Sequence, residues 1–282
     1  MAKKVYSHSK LSTFEQCPFK YKLRYIDKIK PELEKSIESH LGTCVHDALE
    51  WLYLKIKETQ KVPTLDDIII FYSEKWEKFY TPNIVIVKKD LDQKHYFQNG
   101  LKFLLDYYVK NQPFKDNTLE VEKKITLNLT EEHSLQGFID RLVHNLETDE
   151  IEIHDYKTAN TLPTQDKADE DRQLALYSLA IKEQFQNKEI KLIWHYLAHN
   201  QKIISKRTNE QLEKLKQEII QLIKKIESTQ NFPTKKSVLC DWCEYKNQCP
   251  HFNKKLETKK QEPKEIATTL DNYPTIRKYI RN

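Results

Sequence analysis

Apolar positions recur along this chain with two different periods, and the period changes near residue 120. Leu11, Phe14, Tyr21 and Tyr25 fall close to one face of a helix, which predicts a helix over 9–26 with Ser9 able to cap its start. Val45, Ala48, Leu49, Leu52 and Ile56 repeat at helical spacing and predict a second helix over 42–58. Two more helical stretches, near 65–80 and 91–110, are punctuated by Pro63, Pro82 and Pro113. The spacing then shortens. Val121, Ile125, Leu127 and Leu129 all occupy odd positions, as on a half-buried strand. Strands over 134–143 and 150–157 follow, with a polar turn from Asn145 to Asp149 between them. A helix over 170–185 comes next, then a hairpin of 190–198 and 201–206 turning near Asn200. Thr208-Asn-Glu-Gln211 is a capping box that opens a long helix carrying Leu212, Leu215, Ile219, Leu222, Ile223 and Ile226. This order gives an α/β core with a helical insertion ahead of its first strand.

Composition narrows the class. With 38% hydrophobic and 32% charged residues, the chain has enough apolar side chains for a packed core and is not disordered. No apolar run approaches the roughly 20 residues that span a bilayer, and the N-terminus lacks the apolar stretch of a signal peptide, so the expected compartment is the cytoplasm. The excess of 47 Lys+Arg over 42 Asp+Glu permits nucleic-acid binding without requiring it. There are three glycines, Gly42, Gly100 and Gly137. A Walker A loop, Gly-x-x-x-x-Gly-Lys-Ser/Thr, needs two of them at fixed spacing, and none is followed by lysine, so the chain carries no ATP-driven motor of that type.

The chemistry concentrates in two places. In Glu-Ile-His-Asp155-Tyr-Lys157, strand alternation puts Asp155 and Lys157 on one side, with Ile151 and Ile153 further down that side. Burying a carboxylate and an ammonium at the end of an apolar strand face is costly unless they pair or bind something. Asp140, in Gly137-Phe-Ile-Asp140-Arg, lies one hairpin away, and two carboxylates meeting at neighbouring strand ends can hold a hard divalent cation. A plain Asp–Lys ion pair is the competing reading. The second place is Cys240-Asp-Trp-Cys243 with Cys249 five residues on. In a reducing compartment such spacing reads as metal ligation rather than disulfide bonding. Three thiolates need a fourth ligand, and Cys17, Cys44 and His251 are the candidates. Cys44 sits among apolar residues of the second helix, where a small buried thiol is the better reading. Spacing alone does not separate zinc from an iron–sulfur cluster.

Together, His46, Gly137-x-x-Asp140, Asp155-x-Lys157 and Gln173-x-x-x-Tyr177 resemble, in type and order, the motifs of RecB-type members of the PD-(D/E)XK nuclease superfamily. Ser9-Lys-Leu-Ser-Thr-Phe-Glu-Gln-Cys17-Pro-Phe-Lys-Tyr resembles the opening of that family's iron–sulfur branch, which includes the AddB nuclease domain and CRISPR-associated RecB-like exonucleases. The resemblance runs from about residue 6 to 252, and the helical stretch 60–115 contributes no motif to it. It implies a restriction-endonuclease-like central mixed sheet flanked by helices, in one domain over 1–252, while the residues beyond, 253–282, read by themselves as a lysine-rich tail that is at least partly loose. It implies that His46, Asp140, Asp155 and the Tyr156 carbonyl hold one or two Mg²⁺ or Mn²⁺ ions, with Glu122 a further acidic contributor. Lys157 would orient or activate water, and Gln173 and Tyr177 would position the DNA strand or the water. It implies Cys17 as fourth ligand with Cys240, Cys243 and Cys249, and a [4Fe–4S] cluster ahead of zinc, joining the first helix to segment 238–252. Tyr21, Tyr25, Trp242, Tyr245 and Phe252, set between lysines nearby, suit base stacking or an ordinary core.

The expected function is therefore a metal-dependent DNA nuclease, an exonuclease on single-stranded ends in DNA repair, recombination or CRISPR adaptation. A separate helicase or an integrase would be its partner. A non-catalytic iron–sulfur assembly subunit and a zinc-stapled interaction protein are the alternatives.

Overall fold

The computed structural model describes residues 3–31 and 35–253. The tail expected to be loose from Lys254 onward lies outside the described residues.

Strand β3 (His133–Asn145) is the spine of a six-stranded mixed sheet among the described residues. β2 (Thr118–Asn128) runs antiparallel along one edge, from Thr118 opposite Val143 to Asn128 opposite Ser134. The other edge is shared. β1 (Lys4–Tyr6) pairs parallel at His133–Leu135, and β4 (Glu150–Lys157) pairs antiparallel at Arg141–Asn145. Between these two ladders, residues 136–140 of β3 pair with β2 alone, which leaves a gap in the sheet on that side. β4 continues parallel to β5 (Ile190–Tyr196), and β6 (Gln201–Ser205) closes the far edge antiparallel.

Each face of the sheet has its own core. On one, α1 (His8–Gln16), α7 (Gln173–Gln184) and α8 (Asn209–Ser228) pack their apolar sides against Leu135, Ile139, Ile151 and Ile153. On the other, α3 (Ile37–Thr59), α4 (Leu65–Phe79) and α5 (Gln93–Asn111) gather around Tyr156 and Leu197. Two short helices, α2 (Pro18–Tyr21) and α6 (Gln165–Asp169), fill the connections.

The expected helix over 9–26 is three pieces. Cys17 is extended, with φ −159° and ψ 105°, because the ring of Pro18 disfavours helical backbone in the residue before it. The chain restarts as α2 and ends in a π-turn over Lys22–Ile26. The cap is Ser7, whose side chain accepts from the Lys10 N–H, and not Ser9. The second helix begins at Ile37 behind the Ser36 cap, so Gly42 and His46 lie inside it and do not open it. β1 is too short for periodicity to register. The helix expected over 170–185 is α6 and α7 with a break at 170–172. The hairpin turns through a 3₁₀ turn at Leu197–His199 and a left-handed Asn200.

On β3 strand alternation fails where the site will be. Ile139 and Leu142 belong to the same core although they are three residues apart, so β3 changes face between them. Directly across on β2 sits Glu122, with φ 48°. Such kinks re-aim side chains and terminate regular pairing, and they recur beside active sites.

Beyond the kink, Arg141 is buried at 1% exposure beneath the helices. Its guanidinium donates to the Tyr156 hydroxyl at 3.0 Å, His154 Nδ1 at 3.1 Å and Thr118 Oγ1 at 3.2 Å, pairs with Asp116, and lies 4.1 Å over the Tyr53 ring. A guanidinium only donates, so His154 Nδ1 must accept. That places the His154 proton on Nε2, which donates to Glu152 at 3.1 Å, and makes His195 Nε2 the donor across 2.8 Å. Burial drives both imidazoles well below the usual histidine range, so they are neutral. Every member depends on the guanidinium. Arg141→Ala should destabilise the fold by about 3 kcal/mol in urea denaturation, as breaking a buried charged network does. Arg141→Lys should not restore it, because an ammonium cannot serve these directions at once.

Candidate metal centre

The gap in the sheet is where the chemistry-bearing side chains converge. Asp140 leaves β3 at the face change, and its Oδ2 accepts the Tyr156 backbone N–H at 2.7 Å. His46, from the middle of α3, brings Nδ1 to 3.5 Å from the same Oδ2 and Nε2 to 2.7 Å from the Tyr156 carbonyl oxygen. Burial alone would lower the imidazole. The hydrogen bond and charge of Asp140, the charge of Asp155 and the Tyr156 carbonyl outweigh it and hold His46 up at about 9. An imidazolium therefore supplies positive charge here, and a divalent cation, which needs the neutral ring, would replace that proton.

Asp155 and Lys157 project from β4 toward α7, as strand alternation requires. Asp155 is 4% exposed, and burial pushes its carboxyl up against the opposing pull of Lys157. Its Oδ1 accepts from Gln173 Nε2 at 3.1 Å. Its Oδ2 faces Lys157 Nζ at 2.7 Å as an ion pair but accepts no aligned hydrogen bond. Lys157 also donates to Gln173 Oε1 at 2.9 Å. Burial would lower the ammonium, but Asp155, Asp140 and Asp171 raise it, so Lys157 stays charged. Gln173 clamps the pair, satisfying the acid with its amide N–H and the lysine with its carbonyl. One turn further along α7, the Tyr177 ring lies against β3 where only glycine leaves room, since a Cβ on Gly137 would come within 2.4 Å of Cε1.

Glu122 joins this group through its left-handed backbone. One ligand atom each from His46, Glu122 and Asp140 lie within 4.8 Å of one another, and this is the one such group of His, Cys, Asp or Glu atoms among the described residues. Burial, then Asp140 and Glu50, push the Glu122 carboxyl up to about 7. Carboxylates gathered at this density call for a cation. The spacing of these three atoms suits one, because ligands of an octahedral Mg²⁺ at about 2.1 Å stand about 3 Å apart when neighbouring and about 4.2 Å apart when opposite. Glu50, whose carboxyl is raised by burial and Asp47, was not singled out from the sequence. The signal was available, since it stands four residues after His46 and shares its helix face.

The cysteines make a separate site. Cys17, Cys240, Cys243 and Cys249 line one cavity of about 60 Å³ with Phe19, Leu239 and His251, and Lys20, Lys235, Lys236 and Lys246 at its walls. The Ser237 N–H donates to Cys240 Sγ at 3.3 Å. Burial raises the Cys243 and Cys249 thiols. Cys44 lies elsewhere, 1% exposed in α3 against His40, with its thiol pushed up to about 11 by burial. Of the aromatics near the cysteines, Tyr21 and Tyr245 are buried, while Trp242 and Phe252 are exposed.

A family model described as the PD-(D/E)XK nuclease superfamily matches residues 5–250. Among solved structures, SSO0001 is similar, with 14% identity over 89% of this chain and 88% of that one and a TM-score of 0.41. A protein from Eubacterium rectale, named "Putative exonuclease", is similar with 11% identity over 87% of this chain and 86% of that one and a TM-score of 0.47. No curated protein matches the chain.

If the cation is held where these ligands converge, Glu122→Gln and Asp140→Asn should each weaken Mn²⁺ binding by roughly tenfold or more, the loss typical even for outer-shell partners of a metal site. Titration calorimetry reads this directly.

Proposed function

We propose that this chain, which belongs to the PD-(D/E)XK nuclease superfamily over residues 5–250, is a metal-dependent deoxyribonuclease of the RecB-like iron–sulfur branch, acting as an exonuclease on single-stranded DNA ends. Residues 1–252 form one nuclease domain with its helical insertion at 60–115. The observation that carries the reading is the clamp of Asp155, Lys157 and Gln173 set beside Asp140 and His46 across the gap in the sheet.

His46, Asp140, Asp155 and the Tyr156 carbonyl would hold Mg²⁺ or Mn²⁺, with Glu122 adding a carboxylate at the β2 kink. When bound, the ion polarises the phosphodiester and lowers the pKa of a coordinated water. Lys157, held protonated by its carboxylate neighbours, orients the attacking water and stabilises charge developing on the phosphate, and in this state it is not a base. Gln173 fixes the Lys157 ammonium against Asp155 and keeps both from rotating away. Tyr177, wedged against Gly137, lies next to Gln173 on the wall where the strand would run.

Cys17, Cys240, Cys243 and Cys249 would carry a [4Fe–4S] cluster. The resemblance around Cys17 favours it over zinc, while the N–H donor to Cys240 and the surrounding lysines suit the negative charge of either thiolate-ligated group. A helicase or an integrase would be the working partner, in DNA repair, recombination or CRISPR adaptation.

Anaerobically purified protein should release nucleotides from end-labelled DNA with Mn²⁺ and not with EDTA. Asp155→Ala and Lys157→Ala should each lower the rate by at least about a hundredfold, the scale of losing one charge-stabilising group. Folded protein that binds DNA but cuts none under any divalent metal would overturn the enzymatic reading. The same preparation should be brown and contain about four iron atoms per chain, and a colourless, zinc-loaded protein would overturn the cluster.

A further inference from the structure

The gap in the sheet is open at one end, and of the residues there only Gln173 and Tyr177 also border the metal centre. A groove of about 620 Å³ wraps the edge of β3 that β1 and β4 leave unpaired. Its inner wall is Gln173 and Tyr177. Its opposite wall is the turn from Tyr6 to Lys10, and its floor is Gln136, Gly137 and Phe138. Strand alternation turns Phe138 away from the Tyr177 side, which Gly137 faces, and it stands 53% exposed. Lys124 is its direct cross-strand partner on β2, is exposed, and makes no ion pair among the described residues. Val5, 44% exposed, adds apolar surface at the same rim. Neither Phe138 nor Val5 contributes to either core, so folding does not explain an exposed aromatic at this position.

We propose that this groove and the Phe138–Lys124 platform at its mouth form the track for single-stranded DNA, with Phe138 stacking on a base and Lys124 contacting a phosphate. An aromatic face beside an unpaired cation is the minimum unit of sequence-tolerant single-strand binding. Inside a duplex each base face is covered by its neighbour and only the terminal pair exposes one, so the platform favours unpaired strands over duplex. Lys10, in the opposite wall, adds a second positive charge along the path to Lys157. The inference rests on the nuclease reading for its substrate, but its test does not need cleavage.

Binding of a fluorescent 12-nucleotide single strand, and of the same sequence as a blunt duplex, would be measured by anisotropy in EDTA for the wild type, Phe138→Ala, Phe138→Trp and Lys124→Ala. Cleavage with Mn²⁺ would be followed in parallel. Phe138→Ala should weaken single-strand binding about tenfold, within the range of one lost base stack. Phe138→Trp should retain it, and Lys124→Ala should weaken it less and flatten its salt dependence. In cleavage, KM should rise while kcat holds. Unchanged single-strand affinity in Phe138→Ala, equal losses for duplex and single strand, or no single-strand binding by the wild type would each overturn the proposal. Binding that responds to Phe138 in a protein that cuts nothing would support the track and overturn the nuclease reading instead. Phe138 is exposed and outside both cores, so the variants should melt with the wild type.

Discussion

Tyr156 holds the two halves of this protein together. Its backbone N–H donates to Asp140 and its carbonyl faces His46, so one residue joins β3, β4 and α3 at the point where the candidate metal ligands meet. Its phenol points the other way. It accepts from Arg141 Nε at 3.0 Å and lies 3.1 Å from the Tyr107 hydroxyl, which reaches Tyr53 at 2.7 Å. The helices over residues 37–111 are therefore not an ornament on the sheet. Through Tyr53, Tyr107 and Arg141 they fix the ring, and the ring fixes the peptide groups that the site uses. A buried polar network of this kind is costly when half satisfied and rigid when complete, and rigidity of the ligand frame is what a hard cation with strict geometry requires.

What could be read in the sequence follows from how far each interaction reaches along the chain. The α/β order, the helix carrying His46, the Thr208 capping box and the shared face of Asp155 and Lys157 are local, set by periods of 3.6 and 2 or by a single turn, and periodicity exposes them. The break at Cys17 was legible in principle, since Pro18 forbids helical backbone behind it, but the apolar spacing of Leu11, Phe14 and Tyr21 continued through it and masked it. β1 offered three residues and one buried side chain, below what alternation can signal. The start of α3 was misplaced because Gly42 looked like a boundary, when it is a close approach to Thr158 instead. Glu122 could be suspected from its strand but not its aim, because the positive φ that turns it toward His46 leaves no trace in residue type. Arg141 and its histidines join residues from Tyr53 to His195 and were invisible for that reason.

Charge balance explains why the carboxylates sit at an irregular point of the sheet. Asp140, Asp155 and Glu122 repel one another, and burial raises Asp155 and Glu122 further. The face change in β3 and the kink in β2 bring them together, and the fold offsets the cost with His46, with Lys157 and with the two hydrogen bonds of Gln173. These partners are arranged unequally. Asp155 is tied to the lysine side, while Asp140 and Glu122 face the imidazole. The pocket thus has a lysine-and-amide side and an imidazole side, with Asp155 on the first and Asp140 and Glu122 on the second.

The cysteine segment is joined to the same stretch of chain that walls the groove. It is fastened to the start of the chain by Lys20–Glu244 at 2.7 Å, by Tyr245 donating to the Ile29 carbonyl at 3.1 Å and by Phe19 N–H to Pro233 O at 3.1 Å. Those contacts are few and partly exposed. A cluster linking Cys17 to Cys240 would close a loop of more than two hundred residues, and closing a loop of that length restricts the unfolded chain by on the order of 5 kcal/mol on the entropic view. What that link would hold in place is the segment just ahead of Cys17, namely α1 and the turn before it, and Ser7, His8 and Lys10 of that segment form the outer wall of the groove. α1 is tied down by the packing of Leu11 and Phe14 and by Arg172 and Lys235, which bond Glu15. The cysteine ligation would keep its far end from fraying, so a group with no part in phosphodiester chemistry would still decide whether the strand path keeps its shape.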